Sequence, residues 1–531
     1  MNSLNDIADR EWDVLIIGGG IFGAAVARDA ALRGLKTALV ERTDFASETS
    51  SKSTKLIHGG IRYLEQLQLH LVHECLKERT TLLTIAPHLV RPMPFVIPVF
   101  QGDRHALSTV KFGTWLYGML AGKDVLRRSE GLSQSEIIKK YPFLKKTSVK
   151  GGVRYFDAQM DDIRLCLETI MSASYEGAQA VNHVEIHRIG VRDDGKFDVG
   201  LTDQISKTIG KARALTIVNT AGPWADRVLS MLDPRHKPML RLSKGIHLVV
   251  RQKISNEAIT LSSSDKRVIF IIPWKNGSIV GTTDTEYRDS LDDVHANHNE
   301  VDFILQEVNR TAKELDIRRS DIVTTFAGIR PLAALHGKST AKVSRNHLIH
   351  ETPKGFFSVV GGKYTTHRLI AEQVCNKVER FLRRKHVACK THELPLWGSF
   401  DLPHEPGFTV HLDISGINRH ALEQLMRTYG RCVRDVVHIA ARNENLRRPI
   451  CMKHPVIGAQ VIYAIEHEFA KNLMDVCVRR LRLDQMSCRG LDCVFQVANL
   501  MSDRLDWSTA RKQIEIQEFQ NWVKKSTVSL S

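Results

Sequence analysis

Residues 11–42, EWDVLIIGGGIFGAAVARDAALRGLKTALVER, constrain the fold of this chain more than any other stretch. The apolar run over 12–17 is short enough for a strand buried on both faces. Gly18, Gly20 and Gly23 follow it in G-x-G-x-x-G spacing. The first glycine permits a tight turn, the second lets backbone approach a pyrophosphate, and the third lets a helix pack on the strand. Ala24, Ala25 and Ala27 keep that helix slim, and Gly34 is placed to end it. A second strand over 37–40 delivers Glu41. Its carboxylate can accept hydrogen bonds from both hydroxyls of an adenosine ribose and would repel a 2′-phosphate. Strand, helix, strand and acid in this register predict a doubly wound α/β domain that binds an adenine dinucleotide.

At 531 residues the chain has length for roughly two to four domains. No window offers the ~18 uninterrupted apolar residues of a spanning helix, and the acidic N-terminus lacks the pattern of a signal peptide. Nine cysteines without a C-x-x-C pair argue for a reducing compartment. The net charge is +16, and from Asp401 onward 18 Lys and Arg stand against 15 Asp and Glu, so +13 lies in the first 400 residues. Such a balance suits a phosphorylated substrate, an acidic lipid surface, nucleic acid, or simply a solvated basic surface.

Beyond residue 42, a loop rich in hydroxyls with Gly59 and Gly60 suits ligand wrapping, and 64–85 reads as a helix. Pro87, Pro92, Pro94 and Pro98 are expected to break the chain into short extended pieces. Over 104–128, Phe112, Trp115, Leu116, Met119 and Leu120 share one helical face flanked by Lys111, Lys123, Arg127 and Arg128. That pattern fits a helix lying in a membrane interface, and equally one packed on its own core with a basic rim. Asp194-Gly195 marks a hairpin between 181–191 and 197–202. A strand at 214–218 re-enters the doubly wound sheet, running into Asn219-Thr220-Ala221-Gly222. Strands at 245–250, 268–274, 278–282, 324–332 and 356–360 follow, the last ahead of GGKYTT (361–366) and a helix. Glycines before a helix N-terminus can seat an anionic ligand atom or simply make a turn. Residues 394–408 read as a linker, and helical patterns at 419–429, 456–473 and 491–500 form a separate domain. Its histidines lack paired spacing and Cys488 and Cys493 have no second pair, so no metal site is expected.

TSSKSTKLIHGGIRYLE (49–65), NTAGPW (219–224), KGIHLVV (244–250), IPW with GTTD (272–284), GIRPL (328–332) and GGKYTT (361–366) together resemble the FAD-dependent, respiratory glycerol-3-phosphate dehydrogenases. HPVIGAQVIYAIEHEFAKNLMDVCVRR (454–480) is similar to that family's C-terminal domain. The resemblance implies a Rossmann-type FAD-binding domain of the D-amino-acid-oxidase-like architecture, with an interleaved β-rich (α+β) substrate domain over 1–395 and a helical domain over 405–531. It implies oxidation of glycerol 3-phosphate with electrons passed to a membrane quinone. It also implies peripheral attachment to an anionic membrane surface, on the cytoplasmic face of the inner (cell) membrane. A homodimer is compatible with this reading, and no nucleic acid partner is expected. The alternatives are an oxidase that uses oxygen and a basic flavin-binding protein without turnover. Phe22, where a small polar residue is usual, and His367, where the family usually has Tyr, depart from the pattern.

By the same resemblance, Arg62, Arg330 and Arg345 are the candidates for gripping the phosphate, with Tyr63 as a hydroxyl donor. His247, Arg330 and Lys363 are assigned to the reacting centre, where His247 and Lys363 also contact substrate: an imidazole to take the hydroxyl proton and cations to favour the oxyanion. The FAD contacts are Gly18, Gly20, Gly23, Glu41, Arg42, Thr49, Ser50, Ser53, Lys55, Ala221, Gly222, Gly362, Lys363 and Thr365.

Overall fold

The computed structural model describes residues 3–265, 267–334, 347–399, 417–451 and 453–527. The predicted unit forms as read: strand β1 (Glu11–Ile17), helix α1 (Ile21–Leu32) and strand β2 (Thr37–Val40). β1 pairs in parallel with β2 on one side and with Ile209–Asn219 on the other. Gln179–Val181 extends the parallel order beyond β2, and Phe356–Gly361 extends it beyond Ile209–Asn219. Helix α1 and the helices Asp162–Tyr175 and His367–Phe381 cover one face, where Ala24 and Ala27 meet Cys166, Ile170, Val374 and Val378. The hairpin Val184–Val191/Phe197–Asp203 turns at Gly195 (φ +78°) and joins the edge of the same sheet.

A second sheet of ten strands carries most of the chain between these parallel strands. Leu240–Val250 lies antiparallel to both Gly277–Gly281 and Ile322–Ala333. The chain thus leaves the first sheet after Asn219 and returns at His347–Glu351, which makes the two sheets interleaved. The prolines behave differently from expectation. Val90–Phe100 is one continuous strand, paired antiparallel with Val149–Met160 from Val90 to Phe100. Pro92, Pro94 and Pro98 share parity, so their missing N–H groups all fall along one edge. On its other side, among the described residues, the strand pairs only at Phe95 and Val96.

The C-terminal region carries its own apolar clusters, one around Tyr429, Val436 and Tyr463 and one around Val461, Leu473, Val497 and Phe519. The helix expected over 456–473 is preceded by the short hairpin Pro449–Cys451/His454–Ile457 and runs only over Gly458–His467. β-Branched Val456 and Ile457 favour extended backbone there. Of the linker expected over 394–408, only 394–399 lies within the described residues. Buried ion pairs join this region to the first sheet. Arg479 and Arg480 both bond Asp44, Arg164 meets Glu468 at 2.5 Å, and Arg482 meets Asp162 at 2.7 Å. Removing one partner of such a pair leaves an uncompensated buried charge, at a cost of about 3–5 kcal/mol.

His367 starts the helix that packs on α1, and its Nδ1 lies 2.7 Å from the Tyr364 carbonyl. Burial pushes its pKa down to about 4, against a smaller opposing effect of that carbonyl. The unfolded chain therefore takes up this proton first as pH falls, and folded stability drops between about 6.5 and about 4. Replacing His367 by Tyr is expected to remove up to roughly 3 kcal/mol of this pH dependence. Denaturant unfolding at several pH values across that window checks it, and identical slopes for variant and parent would refute it.

Candidate cofactor and active site

Four parallel strands end at one cavity. Ile17, Val40, Asn219 and Gly361 are the last residues of β1, β2, Ile209–Asn219 and Phe356–Gly361, and the residues after them line a space of about 340 Å³. This is the crevice outside the carboxyl ends of strands where open α/β sheets bind ligands.

The glycine turn fits a dinucleotide. Gly18 has φ +101°, and a Cβ there would lie 2.8 Å from the Thr220 carbonyl oxygen. A Cβ on Gly23 would lie 1.9 Å from the Gly18 oxygen, so only glycine lets the helix sit this close. The N-terminus of α1 faces the cavity through Gly20 and Ile21. The Ser50 hydroxyl accepts from the Ile21 N–H at 2.9 Å, so this predicted contact also caps the helix. The Glu41 carboxylate lines the cavity and is held at the turn, accepting from the N–H of Gly19 (2.7 Å) and of Thr43 (2.8 Å). Arg42 lies 4.6 Å over the Trp224 ring, and Ala221, Gly222, Gly362 and Thr365 complete the same wall. Thr49, whose hydroxyl donates to the Ile329 carbonyl (2.8 Å), and Ser53 line it as well. Phe22 packs its ring against Gly362, where a Cβ would meet it at 2.8 Å, and lines the cavity rather than turning away.

The second sheet supplies further polar groups to the same cavity. Arg330 and His247 project from Ile322–Ala333 and Leu240–Val250, adjacent strands that pair Ser243 with Arg330 and His247 with Phe326. The guanidinium lies directly over Gly245, where a Cβ would fall 2.2 Å from Nη2. It donates to the Thr283 carbonyl (3.2 Å) and the Thr282 hydroxyl (3.0 Å), which fix its plane. His247 is buried, stacked on Phe326 at 4.9 Å, with Nε2 3.0 Å from the Thr54 hydroxyl and, among the described residues, no hydrogen-bond partner for Nδ1. Burial, then the charges of Arg330 and Lys55, hold its pKa well below 6.5, so the ring is neutral at neutral pH. Lys363 stands 3.6 Å over the Tyr63 ring. The packing site of Tyr63 is open because Gly60 (φ +77°) has no side chain, as a Cβ there would meet the ring at 2.3 Å.

Arg62 and Lys55 fall elsewhere, and Gly23 packs against the Gly18 backbone without lining the cavity. Arg62 is exposed and does not line the cavity, because on the 3₁₀ turn Ile61–Gln66 neighbouring residues point to different sides and Tyr63 takes the inward one. Lys55 is wholly buried outside the cavity, its Nζ 2.5 Å from Asp162 and from the Ser51 carbonyl. It anchors the loop through Ser51 and Asp162. Arg345 lies outside the described residues. Thr54 and Lys52 line the site as well. Their only sequence signal is membership of the TSSKSTK block, and nothing local pairs Thr54 with a histidine 193 residues away.

Residues 13–376 match the family described as FAD dependent oxidoreductase, and 389–512 the one described as C-terminal domain of alpha-glycerophosphate oxidase. A glycerol-3-phosphate dehydrogenase of Synechocystis sp. is 33% identical, covering 99% of this chain and 99% of its own length. The mitochondrial glycerol-3-phosphate dehydrogenase of Mesocricetus auratus is 35% identical over 96% of this chain and 72% of its own. The crystal structure of the glycerol-3-phosphate dehydrogenase from Bacillus halodurans complexed with FAD is 28% identical and covers 99% of this chain and 97% of that one, with a TM-score of 0.79. Likeness on this scale in both halves, around a turn that only glycines can make, shows that the chain belongs to the FAD-dependent glycerol-3-phosphate dehydrogenase family and that its cofactor is FAD.

Proposed function

We propose that this chain oxidises sn-glycerol 3-phosphate to dihydroxyacetone phosphate and delivers the two electrons to a membrane quinone. The substrate reading rests on Arg330, Lys363 and a neutral His247 lining the same cavity as the adenosine-type turn. Gly18, Gly20, Gly23, Glu41 and the wall at Ala221, Gly222, Gly362 and Thr365 would hold FAD, which when bound accepts the hydride from C2 of the substrate. Arg330 offers a planar fork to the phosphate, its orientation set by Thr282 and Thr283. His247 enters with an unprotonated ring and takes the C2 hydroxyl proton at Nε2, the nitrogen beside Thr54. A phosphate dianion beside Arg330 offsets the positive field that opposes that protonation. Lys363 favours negative charge on the C2 oxygen as the proton leaves.

The quinone reading rests on the helix Leu107–Ala121. Phe112, Trp115 and Met119 are 61%, 53% and 54% exposed along it, and Leu67 is 82% exposed. Leu67 precedes the helix Leu69–Ile85, whose His73 Nδ1 lies 2.9 Å from the Leu120 carbonyl. Lys123, Arg127 and Arg128 follow on the exposed side. A large apolar face with a basic border suits insertion into the headgroup boundary of an anionic bilayer. Among the described residues no helix is long and apolar enough to cross one.

Arg330→Ala is expected to lower kcat/KM for glycerol 3-phosphate roughly 10- to 100-fold, mostly through KM, with flavin content unchanged. Steady-state kinetics on flavin-quantified protein checks this, and unaltered kinetics would take Arg330 out of the site. Replacing Phe112, Trp115 and Met119 together by Ser is expected to abolish sedimentation with anionic vesicles and reduction of quinone held in them, while reduction of a soluble dye persists. Peroxide as the main product of the parent in air would favour the oxidase alternative instead.

A further inference from the structure

The C-terminal region holds a cluster that the oxidation chemistry does not use. Cys451 ends the strand Pro449–Cys451, and His454 opens its antiparallel partner His454–Ile457. Cys488 follows the turn Leu483–Gln485, and Cys493 is the N-cap of the helix Val494–Leu505. The three cysteines are buried and His454 is half-buried. The sulfurs of Cys451 and Cys488 and a ring nitrogen of His454 all lie within 4.8 Å of one another, and the Cys493 thiol donates to the Gly490 carbonyl at 3.5 Å. The second pair missing from the local sequence is thus the C-x-x-H of the hairpin, brought in from 37 residues away.

We infer that Cys451, His454 and Cys488 form three corners of a tetrahedral site for a zinc-type divalent cation, independent of the substrate reading.

The spacing of the sulfurs carries this first. Cys451 Sγ and Cys488 Sγ are 3.7 Å apart. A disulfide requires about 2.05 Å, whereas two thiolates each about 2.3 Å from a tetrahedral zinc stand about 3.8 Å apart. The Ser487 hydroxyl, 3.2 Å from His454 Nε2, can accept a proton there and leave Nδ1 for the cation. Two thiolates with one imidazole select a soft, tetrahedral ion over calcium or magnesium, and the remaining position falls to solvent.

Binding would release the thiol protons to solvent and pin the hairpin to the loop around Cys488. Just before that loop, Arg482 bonds Asp162 (2.7 Å) and Gln485 accepts from the Trp274 indole (2.9 Å). The cation would therefore brace the segment through which the C-terminal region grips both sheets.

The test is cobalt(II) titration of the reduced, chelator-treated holoenzyme, followed at wavelengths beyond the flavin bands. The expected result is thiolate-to-cobalt charge-transfer and d–d absorption saturating at about one ion per chain. Zinc should displace the cobalt, with proton release on binding. Cys488→Ser should lose the charge-transfer bands while keeping its flavin, and His454→Gln should bind cobalt at least ~10-fold more weakly. The parent titration decides the matter even if a variant fails to fold. Absence of the cobalt bands in the parent, or a Cys451–Cys488 disulfide in anaerobically purified protein, would overturn the inference.

Discussion

The contact between the backbones of Gly18 and Gly23 is the constraint on which the structure depends. A Cβ on Gly23 would sit 1.9 Å from the Gly18 oxygen, a separation no packing adjustment can absorb. That approach sets where α1 begins and turns its first N–H groups toward the cavity. It also places the helix so that its alanines meet the helices Asp162–Tyr175 and His367–Phe381. The same device recurs on the second sheet, where Gly245 leaves room for the Arg330 guanidinium to lie flat on its neighbouring strand. Backbone exposed by missing side chains is what lets both a cofactor and a cation come close.

Charge holds the two sheets and the C-terminal region to this frame. Asp162 receives Lys55 and Arg482 through one oxygen each, and the Ser53 hydroxyl donates to it at 2.7 Å. Burial alone would raise its pKa, but Lys55 and then Arg482 bring it down to about 2, so the pair stays ionised. The loop that carries Thr54 to His247 is thereby fixed from behind. Lys55, although outside the cavity, still acts on the site, because its charge helps keep His247 neutral. A structural cation and the His247 imidazole are linked through the field rather than by contact.

The parts of this site that could be read in sequence are those where chemistry and spacing are local. The turn from Gly18 to Gly23, the acid at Glu41 and the strand–glycine–helix passage at Gly361 and Gly362 each lie within one or two elements. Arg62 shows the limit: a residue inside a family block can face solvent when its neighbour Tyr63 takes the inward side of a short 3₁₀ turn. Thr54 with His247, and Cys451 with Cys488, meet only through sheet or loop packing that no periodicity encodes. The prolines of Val90–Phe100 misled for a different reason. Their effect on a strand depends on which edge they face, and that is known only once the partners are in place.

The central claim is that flavin and a three-carbon phosphoester meet in the one cavity at the ends of the parallel strands. Anaerobic addition of glycerol 3-phosphate to the purified, FAD-loaded protein tests it directly. The account predicts stoichiometric bleaching of the oxidised flavin spectrum with dihydroxyacetone phosphate as product. A flavin that stays oxidised at saturating glycerol 3-phosphate, in protein shown to be folded, would contradict it.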